Sequence, residues 1–297
     1  MGVNWHHVKT LVSARRAGCK FDRTLTVGRL NLFISPHDLR DLIQTLDPEL
    51  YKRYDEFLAE HPVYAEPLFK LLGATEVESI DASAYEHATH VHDLNQPVPD
   101  HLKGKYDFVA DGGTLEHVFN FPQAIKNCME MTKVGGTLQV EVPANNLVGH
   151  GFYQFSPDLF YRVFAEENGF KVDRVLLFEY FDGSQWYEVA DPRSVKSRVE
   201  LVSRPVPIVL VARATRTADV PIFAKTPQQS DYVATWTEGS EPNPKAMFGD
   251  PPKGWRQILK NALSDRALRR IRYKKTKRGA SVRSFEAQPS FYRPVEI

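Results

Sequence analysis

Tyr106-Asp-Phe-Val-Ala-Asp-Gly-Gly-Thr-Leu-Glu-His-Val-Phe119 is the stretch whose reading decides the fold. Its first six residues read as a short buried strand ending at Asp111. Gly112 and Gly113 then permit a tight turn or the close approach of a ligand. A loop carrying Glu116 and His117 follows. Asn120-Phe-Pro122 starts a helix in which Phe121, Ala124, Ile125, Cys128 and Met129 fall at helical spacing and make one apolar face. Gly135-Gly136 marks the helix end, and Thr137 to Val142 is a strand stopped by Pro143.

Upstream the same alternation holds. Trp5 to Arg16 has helical spacing of Trp5, Val8, Leu11 and Val12, with Gly18 as a stop. Leu25 to Gly28 reads as a strand, extended by Leu30 to Ile34. Ser35-Pro36 is a helix start, because serine can cap and proline suits the first turn. Further helices are expected over 48–59 and 64–72. Val77 to Ile80 is a strand ending at Asp81, and His90 to His92 is a strand ending at Asp93. Downstream, Ser156-Pro157-Asp158 starts another helix that ends near Gly169. Val172 to Glu179 and Val206 to Ala212 are the last clear strands.

Strands alternating with helices imply a mostly parallel sheet covered on both faces. The expected fold is therefore α/β, a three-layer sandwich over residues 1–215. Ligands of such sheets bind beyond the carboxyl ends of the strands. The acids at those ends are Asp81, Asp93 and Asp111. From 216 to 297 prolines break the pattern, which reads as a mostly irregular extension with a basic helix near its end. The run Thr226 to Tyr232 is expected to dock that extension on the main domain.

Of 297 residues, 42% are hydrophobic and 25% are charged, which is ordinary for a globular protein with a sizeable core. A formal net charge of +1 gives no reason to expect nucleic acid. No apolar run reaches the roughly 20 residues a membrane span needs, and no apolar signal core opens the chain. Two cysteines, Cys19 and Cys128, suit a reducing cytoplasm. Residues 266–278 are strongly basic and read either as a solvated helix end or as a weak contact for an anionic membrane surface.

The order of elements from Leu25 to Ala212 resembles the class I S-adenosylmethionine-dependent methyltransferases. The match is best from Tyr106 to Phe170, where the aspartate-containing strand, Leu115-Glu116-His117, the following helix and Gly135-Gly136 come in the family's order. The resemblance implies a Rossmann-like sheet and S-adenosyl-L-methionine as cofactor. It implies that Asp81 holds the ribose, that Asp93 contacts the adenine, and that Asp111 with Gly112 holds the methionine part. Each has a plainer alternative as a turn-capping residue. The family's Gly-x-Gly-x-Gly is degenerate here. Only Gly28 matches, while Leu30 and Leu32 stand at the other glycine positions. Side chains there would crowd a backbone that normally touches the ligand.

Methyl transfer to a hydroxyl needs an aligned acceptor and a proton acceptor, a task suited to histidine. His150, in Asn145 to Phe155 after the fifth strand, is the first candidate for the base and His117 the second. Packing roles for both stay open. Asn146, Tyr153 and Glu116 are the candidate acceptor contacts. The amides, glycines and aromatics of that run suit a small polar acceptor such as a saccharide or its conjugate, methylated on oxygen. His90 and His92 share one strand face, but no third-ligand motif accompanies them and no metal is expected. The competing reading is a non-catalytic binding or scaffold protein of the same fold that has lost the cofactor site. Another nucleotide-using enzyme would also want the missing glycines.

Overall fold

The computed structural model describes residues 2–60, 62–181, 183–195, 198–201, 203, 205–238, 284–286 and 288–297. Its strands are β1 (Gly2–Val3), β2 (Arg23–Val27), β3 (Asn31–Leu32), β4 (Glu76–Asp81), β5 (His90–Val91), β6 (Tyr106–Asp111), β7 (Thr132–Asn145), β8 (Phe170–Glu179), β9 (Trp186–Val189), β10 (Ile208–Arg216) and β11 (Tyr292–Val295). The helices are α1 (Trp5–Arg16), α2 (Pro36–Leu46), α3 (Pro48–Tyr51), α4 (Tyr54–Leu58), α5 (Glu66–Leu72), α6 (Phe121–Met131), α7 (Pro157–Val163), α8 (Pro192–Val195) and α9 (Ser230–Glu238).

Nine strands form one sheet in the order β11-β9-β8-β10-β7-β6-β2-β4-β5. From β5 to β7 all neighbours are parallel. β10 then runs antiparallel between β7 and β8, and β9 and β11 continue antiparallel to the edge. The chain leaves β2 toward β4 on one side and later enters β6 on the other, so the topological switch point lies at the carboxyl ends of β2 and β6.

All six residues of β6 are buried. Phe108 and Ala110 pack in the cluster built with α1, α2 and α5, while Val109 packs in the cluster built with α6 and α7. The alternation of a strand has thus placed successive side chains in two cores. Tyr106, before the register shift that precedes Phe108, joins the cluster of Val109. Fully burying a residue such as Phe108 is worth about 1.5–3 kcal/mol. The apolar face expected of Phe121 to Met129 is buried as α6.

Several boundaries differ from the sequence reading for definite reasons. The first strand does not continue past Gly28. Gly28 has φ +76, and its N–H donates to the Ile80 carbonyl at 2.7 Å, which turns the chain out of the sheet. Leu32 then pairs beside Val3 in a separate two-stranded sheet. Gly135-Gly136 lies inside β7 rather than at a helix end, because α6 closes at Met131 and the chain enters the strand at once. A Cβ on Gly136 would meet the Tyr106 carbonyl oxygen at 2.9 Å, which is why the position takes no side chain. The stretch over 48–59 breaks into two short helices, α3 and α4.

Ser35 caps α2 as expected, accepting from the Asp38 N–H at 3.1 Å. Ser156 occupies the cap position of α7 without a side-chain bond to the helix. There Asp158 instead accepts from the N–H of Ser230 at 3.0 Å and from its hydroxyl at 2.5 Å, docking the run 226–232 as expected. The end of the chain is not all irregular: β11 pairs with β9 and makes the sheet edge. The basic run 266–278 lies outside the described residues. Among the described residues no helix is long and apolar enough to cross a membrane.

Candidate functional site

The site is built from two loops that leave neighbouring strand ends. After β6, Asp111 is buried, and its Oδ1 accepts from the N–H groups of Thr114 at 2.9 Å and Leu115 at 3.3 Å. This ties the Gly112-Gly113 turn, in which Gly113 takes φ +93. The Thr114 hydroxyl donates to the Val27 carbonyl at 2.6 Å and binds the turn to the end of β2. One short helical turn, 115–117, then carries Glu116 and His117.

The loop after β7 folds back onto that turn. The N–H groups of Phe152 and Tyr153 both donate to the Glu116 carbonyl, at 2.8 and 3.3 Å. Gly151 packs against Glu116 so closely that a Cβ would lie 2.9 Å from its Cγ. His150 is thereby held beside Glu116, with Nε2 3.2 Å from Oε1. His117 Nε2 lies 3.9 Å from the same oxygen, and the two imidazole rings stand 5.4 Å apart. Glu116 is fully buried, and neither carboxylate oxygen takes a hydrogen bond. Burial, then the neighbouring Asp111, push its pKa up; burial also raises that of Asp111, against the backbone N–H groups that lower it. Burial followed by His150 lowers that of His117.

These groups open on a cavity of about 360 Å³ whose walls include Gly112, Gly113, Glu116, His117, Glu141 and His150. The far wall comes from the start of α1, where His7 Nδ1 lies 3.5 Å from Glu141 Oε1. Burial pushes His7 down to about 4 and Glu141 up to about 8, so at neutral pH this contact joins two uncharged groups. The Thr10 hydroxyl donates to Glu141 at 3.2 Å. Neither His7 nor Glu141 stood among the expected site residues. The signal was Gln139 and Glu141 alternating along an otherwise apolar strand.

The expected cofactor residues are spread differently. Asp81 is half-buried at the end of β4, with Oδ1 accepting from the Ser83 N–H at 3.1 Å. Asp93 is exposed and accepts from both the backbone and side chain of Asn95. Gly28 forms the turn already described. None of these three lines the cavity that holds Glu116, His117 and His150. Leu30 is only 3% exposed, and a Cβ on Gly112 would meet its two methyl groups at 3.2 and 3.3 Å. Leu30 therefore covers the Gly112 backbone. Arg29 is engaged by Glu66 at 2.7 Å and by the Glu86 carbonyl at 2.8 Å, and it stacks over Tyr64.

The expected acceptor residues beyond Glu116 serve the loop. Asn146, at φ +59, donates to the Val206 carbonyl at 2.7 Å, and the Tyr153 hydroxyl donates to the Phe119 carbonyl at 2.6 Å. His90 bonds Glu78 at 2.9 Å. The groups brought together with metal-ligand spacing are instead Glu116, His117 and His150.

No known family model matches the chain, and no curated protein sequence matches it. Among solved structures it is similar to the MccD protein, at 11% identity and a TM-score of 0.40 over 71% of this chain and 96% of that one. It is also similar to the N-methyltransferase NodS from Bradyrhizobium japonicum WM9, at 10% identity and a TM-score of 0.38 over 72% of this chain and 96% of that one. A third is the branched-chain polyamine synthase C9 mutein from Thermus thermophilus, in complex with N4-aminopropylspermidine and 5'-methylthioadenosine. There identity is 14% and the TM-score 0.38, over 71% of this chain but only 56% of the synthase's length. The five parallel strands from β5 to β7 match the mostly parallel Rossmann-like sheet that the sequence resemblance implied; the antiparallel β10 between β7 and β8 was not foreseen. The chain has a mixed α/β fold built on one large, Rossmann-like sheet. The cavity beside Gly112 lies over the carboxyl ends of β6 and β7.

Proposed function

We propose that the chain is an S-adenosylmethionine-dependent methyltransferase that acts on a hydroxyl of a small polar acceptor, a saccharide or a saccharide conjugate. The observation that carries the reading is the convergence of Glu116, His117 and His150 on a cavity beside the Gly112-Gly113 turn, next to the switch point of this sheet. S-adenosylmethionine, when bound, supplies an electrophilic methyl group. In this reading the half-buried carboxylate of Asp81 would take the ribose diol and Asp93 would contact the adenine. The Gly112 backbone fits the methionine end only with Leu30 moved aside. His150 is the group to take the acceptor proton, and Glu116 holds its ring beside the cavity.

Two exposed rings support a saccharide. Phe119 is 73% and Phe152 68% exposed, and their rings meet edge to face at 6.0 Å, each two residues along the chain from one of the two histidines. An apolar ring face exposed next to hydrogen-bonding groups suits a sugar, which has both kinds of surface. The two cysteines are unpaired, as a cytoplasmic protein would have them.

A second reading is favoured by one observation, the seating of Leu30 on Gly112. The chain would then be a binding or scaffold protein of this fold without the cofactor. Calorimetric titration with S-adenosylmethionine and S-adenosylhomocysteine separates the two. Saturable binding that is weakened by Asp81→Ala supports the enzyme. No heat with either compound would leave only the binding protein.

A further inference from the structure

We propose that Glu116, His117 and His150 bind one divalent transition-metal ion, of the kind that takes imidazole with carboxylate, at the mouth of the 360 Å³ cavity. This concerns ion binding alone and stands whether or not the chain transfers a methyl group; His150 Nε2 serves either as proton acceptor or as ligand, not as both at once.

Geometry comes first. One ligand atom from each residue lies within 4.8 Å of the other two. His150 Nε2 is 3.2 Å and His117 Nε2 is 3.9 Å from Glu116 Oε1. A tetrahedral site with bonds of about 2.0–2.1 Å sets its ligand atoms about 3.3 Å apart. Small rotations of two half-exposed imidazoles close the remaining gap; their side chains are 45% and 52% exposed.

The second observation is independent of spacing. Glu116 is fully buried, its carboxylate is aimed at the cavity, and neither oxygen takes a hydrogen bond. Buried polar groups are rarely left so, because the desolvation is not recovered. A plain ion pair with His150 would satisfy an oxygen, but at 3.2 Å the pair lacks the alignment of a hydrogen bond. Other acid oxygens nearby are also without partners: Oδ2 of buried Asp111 and Oε1 of buried Glu141 take no hydrogen bond. Among the described residues, the basic side chains within 4 Å of the Glu116 carboxylate are His117 and His150. A cation would give the Glu116 carboxylate a partner.

The supporting shell is already in place. The Phe152 and Tyr153 N–H groups grip the Glu116 carbonyl, and Gly151 sits on its Cγ, so the two loops are held as one unit. Three protein ligands with an open side match an ion that keeps a position for water or a hydroxyl, rather than a closed structural site. Two imidazoles disfavour magnesium and calcium, which prefer oxygen.

The test uses the full chain, freed of metal by dialysis against a chelator and titrated with zinc chloride by calorimetry. Cobalt chloride, followed by its visible absorption, gives a second readout that needs no activity. The expected result is one ion per chain, bound at least about tenfold more weakly by Glu116→Gln, His117→Ala and His150→Ala. His37→Ala, on an exposed helix surface, leaves the binding unchanged. Magnesium chloride should compete poorly. No saturable binding would overturn the proposal, and so would binding that the three variants leave intact. If Glu116→Gln does not fold, the two half-exposed histidines carry the test.

Discussion

Gly151 rests directly on Glu116. A Cβ at 151 would lie 2.9 Å from both the Cγ and the carbonyl oxygen of Glu116. The contact joins the loop after β7 to the loop after β6, and it sets the distance between His150 and Glu116. Gly151→Ala must therefore push the loops apart. The expected cost is about 1–3 kcal/mol of stability, as for other overpacked sites, read from the denaturant midpoint. Ion binding or turnover that depends on the His150–Glu116 spacing should fall as well. Gly149→Ala is the control, because nothing lies within 4 Å of a Cβ there.

Leu30 decides whether the cofactor end of the cleft is open. Its methyl groups cover Gly112, and the residue is part of the core beneath α1 and α2. Leu30→Ala should cost about 2–5 kcal/mol in stability, the usual range for truncating a buried leucine. It should also strengthen S-adenosylmethionine binding several-fold, because the Gly112 backbone becomes accessible. Calorimetry on the folded variant reads this. Unchanged affinity would remove Leu30 as an obstacle.

Much of this could be read in advance where the signal is local. The double-sided burial of Phe108 and Val109, the helix start at Ser35-Pro36 and the apolar face of Phe121 to Met129 are carried by spacing within one element. The pairing of Leu32 with Val3 is not, because two-residue strands far apart in the chain carry no periodicity. The edge strand Tyr292–Val295 escaped because its four residues, with Pro294 among them, show no apolar alternation. At the site, Glu116, His117 and His150 were picked out by residue type, but their convergence follows from the Glu116 carbonyl gripping Phe152 and Tyr153. Backbone bonds of that kind leave no trace in side-chain composition. Asn146 and Tyr153 drew attention as polar groups in a loop, and their polar atoms turn out to hold the loop together.

Glu141 should make stability depend on pH. Its carboxyl is fully buried, and burial lifts its pKa from the ordinary 4.5 to about 8. The folded chain therefore keeps this proton where the unfolded chain has lost it. The contribution is fully present below the unfolded value, declines as pH rises from 4.5 toward 8, and is gone above that. The difference is on the order of a few kcal/mol across the window. Glu141→Gln keeps the shape without the charge. Its unfolding free energy should lose most of that slope, and the variant should outlast the parent at pH 8. Parallel pH curves for the two proteins would argue against an uncompensated Glu141.

Phe119 and Phe152 carry the saccharide reading, and their exposure allows a clean test. Both rings lie mostly in solvent, so replacing either with alanine removes little buried area and should leave stability nearly unchanged. A sugar stacked on them would lose about 0.5–1.5 kcal/mol of contact with each ring removed, or roughly two- to tenfold in affinity. Phe152→Ala should accordingly raise KM for a saccharide acceptor while kcat holds, because the ring touches the sugar face and not the reacting hydroxyl. A matched fall in kcat with KM unchanged would place Phe152 in the reacting geometry instead. No effect on either constant would point to an acceptor that does not stack, and the search should then turn to small polar molecules without a ring.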